Sequence, residues 1–245
     1  HVVEDTSVSS VHYTGEVDLP DMEDRLFILK LIEKAKVDLQ DTVDTYGDIK
    51  IKQEIRIGNP YHSIREIITE HEVDLVVMGT HGTNNFGESL VGSNAEKVVR
   101  HAVCPVITLR EPIENVDFNE IVFATGLSDK DHACMIVVNN FQSFFNAKIH
   151  VVRINTPNNF EADRISIPAL KEYAENCGFA DYDTHVFNDV SEEEGIIQFA
   201  EMIDADMIAM ATHGRTGFAH LLTGSIAEDV VNHAKRPVLT YVLNK

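Results

Sequence analysis

A glycine-rich phrase occurs twice in this chain of 245 residues, and each anchor of the first copy recurs 132 positions later (214 minus 82, 224 minus 92, 225 minus 93, 237 minus 105). The first copy reads Met78-Gly79-Thr80-His81-Gly82, then nine residues, then Gly92-Ser93, and it closes on Cys104-Pro105-Val106-Ile107. The second reads Met210-Ala211-Thr212-His213-Gly214, again nine residues, then Gly224-Ser225, closing on Arg236-Pro237-Val238-Leu239. A constant offset across so long a phrase indicates duplication of a folding unit, and the chain is long enough for two units that each bury a core. The expected domains are residues 1–110 and 118–245, separated by an acidic, proline-containing stretch at 111–117.

The apolar runs between the anchors are short, rich in β-branched residues and separated by amphipathic stretches of helical length. This is the pattern of parallel strands joined by helical crossovers. In the second half it predicts strands at 120–125, 148–154, 182–187, 206–210 and 238–243, with helices at 129–146, 161–177, 192–203 and 225–234. The first half repeats the last four strands at 1–4, 49–55, 74–78 and 106–109, with helices at 22–46, 60–71 and 93–102. The expected fold is α/β, two tandem doubly wound parallel sheets of five strands each, the first strand of domain one being absent from this chain. His1-Val2-Val3 matches His150-Val151-Val152, which places the first residue at the second strand of the repeat. A missing central strand would leave backbone groups unpaired, so the natural polypeptide is expected to begin about 30–40 residues earlier, the length of one βα unit.

Composition narrows the function classes. Forty acidic against 20 basic residues give a net charge of -20, and no Lys/Arg cluster stands out. That excludes an electrostatic grip on nucleic acid or an anionic membrane. Three cysteines, odd in number and far apart, read as free thiols of a reducing compartment. No apolar run approaches the roughly 20 residues of a membrane span, and no signal peptide is visible, so the expected location is cytoplasmic.

Glycines after a strand allow a sharp turn that aims successive N–H groups at one point, and a following helix adds its own free N–H groups and the positive end of its dipole. The segment from Gly79 to Ser93 has this form and suits a phosphate. Ser93-Asn94-Ala95-Glu96 and Ser225-Ile226-Ala227-Glu228 also read as capping boxes, a purely structural role compatible with ligand binding. No G-x-x-x-x-G-K-[ST], no G-x-G-x-x-G in a first βα unit and no Ser-Gly-Gly-x-Asp-Ser run is present, which excludes P-loop, dinucleotide-fold and ATP-pyrophosphatase readings.

The phrase G-x-x-G, nine residues, G-[ST], followed by a helix and Cys-Pro-Val, resembles the nucleotide-binding signature of the universal stress protein family in its tandem two-domain form. Gly79, Gly82, Gly92 and Ser93 satisfy it. The resemblance implies a Rossmann-like, adenine nucleotide alpha hydrolase-like sheet in each domain and a pseudo-twofold pairing of domains through the last strands. It further implies a homo-oligomer associating through those strands. The implied function is binding of an adenine nucleotide (ATP, ADP or AMP) and a regulatory role in stress response; from the residues themselves, no enzymatic activity is expected. By position, Met78 and Gly79 would lie beside the ribose, Gly82, Gly92, Ser93 and Asn94 around the phosphates, and Val2 against adenine. Gly58-Asn59-Pro60 resembles the family's G-x-P element. A magnesium ion is compatible with a triphosphate there, although no carboxylate cluster marks a place for it.

Domain two departs from the pattern. Ala211 replaces the first loop glycine, Gly126 stands where the family has an adenine-facing aspartate, and Asn188-Asp189-Val190 replaces G-x-P. Its matching positions, Val151, Met210, Gly214, Arg215, Gly224, Ser225 and Ile226, therefore form a degenerate second site, in which Arg215 offers a charge to phosphate. His81 and His213 lack a second histidine or cysteine at ligand spacing, so no metal site is expected. Glu192-Glu193-Glu194 and Asp131 read as helix-dipole partners, and Cys104 as a buried thiol. No nucleophile-and-base arrangement is evident. The rival readings are a nucleotide-free scaffold or chaperone-like protein, and a slow ATP hydrolase.

Overall fold

The computed structural model describes residues 1–4, 22–80, 92–113, 116–128, 131–213 and 226–243. Two compact units divide the chain, His1–His71 and Glu72–Lys245.

The first unit contains β1 (Val2–Val3), α1 (Met22–Thr45), β2 (Arg56–Ile57) and α2 (Pro60–Glu70). Strands β1 and β2 pair in parallel, Val2 with Arg56 and Val3 with Ile57. The strand expected at 49–55 is thereby corrected: only Arg56 and Ile57, just beyond it, are paired. A strand needs a ladder partner, and β1 offers two residues. Gly58 has φ +123°, a conformation that side chains rarely adopt. It turns the chain into α2, where the Asn59 side chain accepts a hydrogen bond from the His62 N–H at 3.2 Å and Pro60 opens the helix. The Gly58-Asn59-Pro60 run thus has a complete local explanation as strand exit, cap and helix start.

The second unit is organised around one sheet. Its elements are β3 (Val76–Gly79), α3 (Ser93–His101), β4 (Val106–Leu109), β5 (Glu120–Ala124), α4 (His132–Phe145), β6 (Lys148–Asn155), α5 (Asp163–Cys177), β7 (Tyr182–Asn188), α6 (Glu192–Met202), β8 (Met207–His213), α7 (Ile226–His233) and β9 (Val238–Leu243). The strand order is β3-β4-β9-β8-β5-β6-β7. All neighbours run parallel except β4 and β9. Ile121, Val122 and Phe123 are each fully buried, because helices cover both faces of a parallel sheet and its central strand carries apolar residues on both sides. Helix α6 lies so close to β6 that a Cβ on Gly195 would come within 2.5 Å of Ile154 Cγ2.

In the second copy β5 lies between β6 and β8, as a doubly wound sheet requires. The first copy supplies counterparts of β6 to β9 as β1 to β4, and the described residues include no counterpart of β5. Its strands accordingly belong to separate sheets, β1 with β2 and β3 with β4. The two copies meet where β4 runs antiparallel to β9. This is the pseudo-twofold pairing through last strands that the resemblance implies. Within the sheet β4 lies between β3 and β9, and β9 between β4 and β8. No described helix is long and apolar enough to cross a membrane.

Candidate functional site

A cavity of about 470 Å³ opens at the carboxyl ends of β5, β6 and β8. The chain leaves β5 toward β6 on one side and returns as β8 on the other, and such a reversal leaves a crevice between neighbouring connections. Gly126 and Ser128 line it after β5, Val152 to Ile154 from β6, and Met210 to Thr212 from β8. Glu192 and Ile196 of α6 and Ile226 and Ala227 of α7 complete the wall.

Three polar residues give this cleft chemistry. Asp131 lines it while only 3% exposed. The Thr125 hydroxyl and the Tyr173 hydroxyl both donate to Asp131 Oδ2, each at 2.9 Å. Burial pushes the Tyr173 phenol well above its ordinary value, so it is a donor throughout the physiological range. Thr212 is 6% exposed, and its Oγ1 is buried without a hydrogen-bond partner among the described residues. Such groups are rare in folded proteins and each calls for an explanation. Arg153 is held at the wall by Glu161, Nη1 to Oε2 at 2.6 Å, and Glu161 is itself fixed by Asn155 Oδ1 accepting from its N–H at 2.8 Å.

The turn after β5 is strained to serve this arrangement. Leu127 adopts φ 62°, in the left-handed region that costs an ordinary residue about 1 kcal/mol. Its N–H donates to Thr125 Oγ1 at 2.9 Å, and its side chain packs on the core. Gly126 precedes it with no atom within 4 Å of a Cβ added there, so the position where a carboxylate was expected is empty by composition and not by crowding.

Of the expected second-copy residues, Met210 and Ile226 line the cleft. Val151 does not; it is fully buried in the core, and Val152, Arg153 and Ile154 reach the cavity in its place because they lie nearer the carboxyl end of β6. Gly214, Arg215, Gly224 and Ser225 lie outside the described residues. In the first copy, Val2 belongs to the first compact unit and Met78, Gly79, Gly92, Ser93 and Asn94 to the second. Gly82 and His81 lie outside the described residues. The Gly92 N–H donates to the Thr80 carbonyl at 2.7 Å and the Thr80 N–H to the Leu109 carbonyl at 2.9 Å, so the two ends of the first loop are tied together beside β4.

One structural reading changes, that of Ser93. Helix α3 is capped by Gly92, with Ser93 as its first helical residue, so Ser93 is not the N-cap of a capping box. Glu96 pairs with Arg100 at 3.2 Å, and the same guanidinium binds Glu228 of α7. Asp131 does precede α4, as a helix-dipole partner would, but its side chain makes no cap hydrogen bond and lines the cleft, bonded to Tyr173 42 residues away. Ser191 does cap α6, accepting from the Glu194 N–H at 3.1 Å, in keeping with a structural role for the glutamate run.

A second polar cluster lies at the other end of β6. His150, Asp183 and His185 bring one ligand atom each within 4.8 Å of one another. The expectation of no metal-ligating set came from linear spacing, which cannot reveal residues on two neighbouring strands.

Comparison with known proteins bears on both copies. The model of the universal stress protein family matches residues 1–110 and 117–241. Universal stress protein Slr1230 of Synechocystis is 20% identical over 249 aligned positions, spanning 96% of this chain and 84% of that protein. Universal stress protein MJ0577 of Methanocaldococcus jannaschii is 34% identical over 83 residues, 33% of this chain, and the match spans about half of that relative's length, 51%. A crystal structure of a universal stress protein from Archaeoglobus fulgidus superposes with a TM-score of 0.70 over 93% of this chain and 84% of its own, at 18% identity, a likeness of fold. The duplicated phrase, the doubly wound sheet and the paired family matches agree: this chain belongs to the universal stress protein family, in its tandem form.

Proposed function

We propose that this chain is a cytoplasmic regulatory protein that binds an adenine nucleotide in the cleft between β5, β6 and β8. The observation that carries the reading is Thr212 Oγ1, a buried hydroxyl without a partner, on the wall of a cavity of about 470 Å³ that also presents Asp131. That volume is of the size small-molecule sites have. The Asp131 carboxylate accepts from the base, in place of the aspartate replaced by Gly126. The loop after β8, with Gly214, Arg215, Gly224 and Ser225, receives the phosphates. The first-copy positions Met78, Gly79, Gly82, Gly92, Ser93 and Asn94 are the alternative site for the same ligand, supported by the full match of their phrase to the family signature.

The role is regulatory and not catalytic. Among the described residues lining the cleft there is no lysine and no histidine, and Asp131 is engaged by two hydroxyls. Nucleotide shifts the population of loop conformations, which requires that it bind them unequally. A nucleotide-free scaffold is the second reading, favoured by Gly126 and Ala211 in the second copy.

Equilibrium binding of ATP, ADP and AMP to the full chain tests this, with Asp131→Asn and Gly82→Val as variants and phosphate release measured alongside. Binding lost in Asp131→Asn and kept in Gly82→Val supports the second-copy cleft; the reverse supports the first-copy site. No binding by any form establishes the scaffold, and loop-dependent phosphate release establishes a hydrolase.

A further inference from the structure

We propose that His150, Asp183 and His185 form a binding site for a divalent transition-metal ion, with zinc as its best-fitting occupant. The site follows from strand register. Strands β6 and β7 pair in parallel with His150 opposite Asp183 and Val152 opposite His185. Alternate residues of a strand share a face, so His150, Asp183 and His185 emerge on the same side of the sheet.

The distances suit a metal. His150 Nδ1 and His185 Nε2 lie 3.1 Å apart. Two nitrogens bound tetrahedrally at about 2.0–2.1 Å from zinc are themselves about 3.3 Å apart. The carboxylate oxygen of Asp183 falls in the same group, all ligand atoms being within 4.8 Å of one another. Two imidazoles and a carboxylate favour zinc, cobalt or nickel over calcium and magnesium, which take oxygen ligands.

A supporting shell is present. Glu120 Oε2 lies 2.5 Å from His150 Nε2, placed there because Glu120 on β5 is paired with Lys148, two residues before His150. A carboxylate that accepts the far N–H of an imidazole fixes the tautomer whose other nitrogen has a lone pair for a metal. The His185 ring packs against Phe199 with centroids 4.9 Å apart, which limits its rotation. His150 is buried, His185 half-buried and Asp183 exposed, so one side is open to water for entry and for a fourth ligand. Lys148 Nζ sits 2.7 Å from Asp183, on a flexible stem that a doubly charged ion displaces. A metal here joins β7, the last strand of the sheet, to β6, and an ion that binds only the folded state raises its stability.

The test uses the full chain, stripped with a chelator and titrated with zinc chloride by calorimetry, with cobalt(II) absorption reporting geometry. The expected result is one zinc per chain at this site, a tetrahedral cobalt spectrum and a higher Tm with metal. His185→Ala and the more exposed Asp183→Asn remove all three effects, and Glu120→Gln weakens binding by about 10–100-fold although it touches no metal. Folding of each variant is confirmed by circular dichroism, and Asp183→Asn decides if His185→Ala does not fold. No zinc uptake by the wild type, or equal uptake by folded Asp183→Asn, overturns the proposal.

Discussion

Ile107 on β4 lies opposite Leu239 on β9, and the two residues hold equivalent places in the repeat, 132 positions apart (239 minus 107). Around this pair the register is symmetric, Val106 opposite Thr240 and Thr108 opposite Val238. The Thr108 hydroxyl donates to the Val238 carbonyl and the Thr240 hydroxyl to the Val106 carbonyl, both at 3.3 Å. The duplicated strands therefore meet on a local twofold, and each copy buries the edge of the other.

Symmetry predicts equal effects. Thr108→Val and Thr240→Val each keep the shape and remove one hydrogen bond between buried groups, at a cost of about 0.5–1.5 kcal/mol. Urea unfolding of the two single variants is the measurement. A large cost for one and none for the other would contradict the symmetric junction.

Thr212→Val separates a ligand group from a structural one. The hydroxyl has no partner among the described residues, so its removal leaves the stability of the ligand-free chain unchanged or higher. Nucleotide affinity falls about fivefold to tenfold, the worth of one hydrogen bond of about 1 kcal/mol. A drop in apo stability would show that Oγ1 serves the fold.

Gly126→Asp restores a carboxylate at the end of β5. A Cβ there meets nothing within 4 Å, so the variant folds as the wild type does. Adenine-nucleotide affinity increases while affinity for the corresponding pyrimidine nucleotide does not. Equal gains for both would remove base recognition from this position.

Thiol chemistry is silent in the native protein. Burial raises the Cys104 thiol above its ordinary value, pushes Cys177 up to about 12, and takes Cys134 higher still. A thiol reagent at mildly alkaline pH is expected to modify none of the three cysteines until denaturant is added. Rapid labelling of any one in folded protein would contradict that burial.

Acid weakens the first compact unit through Arg56. Its guanidinium donates to Glu54 Oε1 at 2.8 Å and also binds Glu70, and these hydrogen bonds hold both carboxyls below their ordinary value. Because the folded values are depressed, the contribution is present above the unfolded carboxylate range and is lost as pH falls through the folded values. The pair is exposed, so the effect is small and screened by salt. Amide exchange in α2 followed from neutral to acid pH, in wild type and Glu70→Gln, checks it: the variant shows a flatter profile.

Helices and strands of the second copy were legible because their apolar periods are long and each strand finds its partner within the copy. The strand expected at 49–55 failed for the opposite reason, since β-propensity without a partner of equal length makes no ladder. In the cleft, Met210 and Ile226 could be named from the repeated phrase. Asp131, Thr212 and Arg153 could not be assigned their roles, because these depend on contacts with Tyr173 and Glu161 or on the lack of one at Oγ1.

The sequence by itself determined the duplication, the α/β class and the family, because a repeated spacing and an apolar period are properties of the chain read in order. Tertiary structure decided the register in which β4 meets β9, and that only β3 and β4 of the first copy share a sheet with the second. It also placed a buried carboxylate and a hydroxyl unpartnered among the described residues at one cleft, and set His150 beside His185, 35 residues away. Those relations depend on strand register and helix packing, which bring together residues that no linear spacing connects.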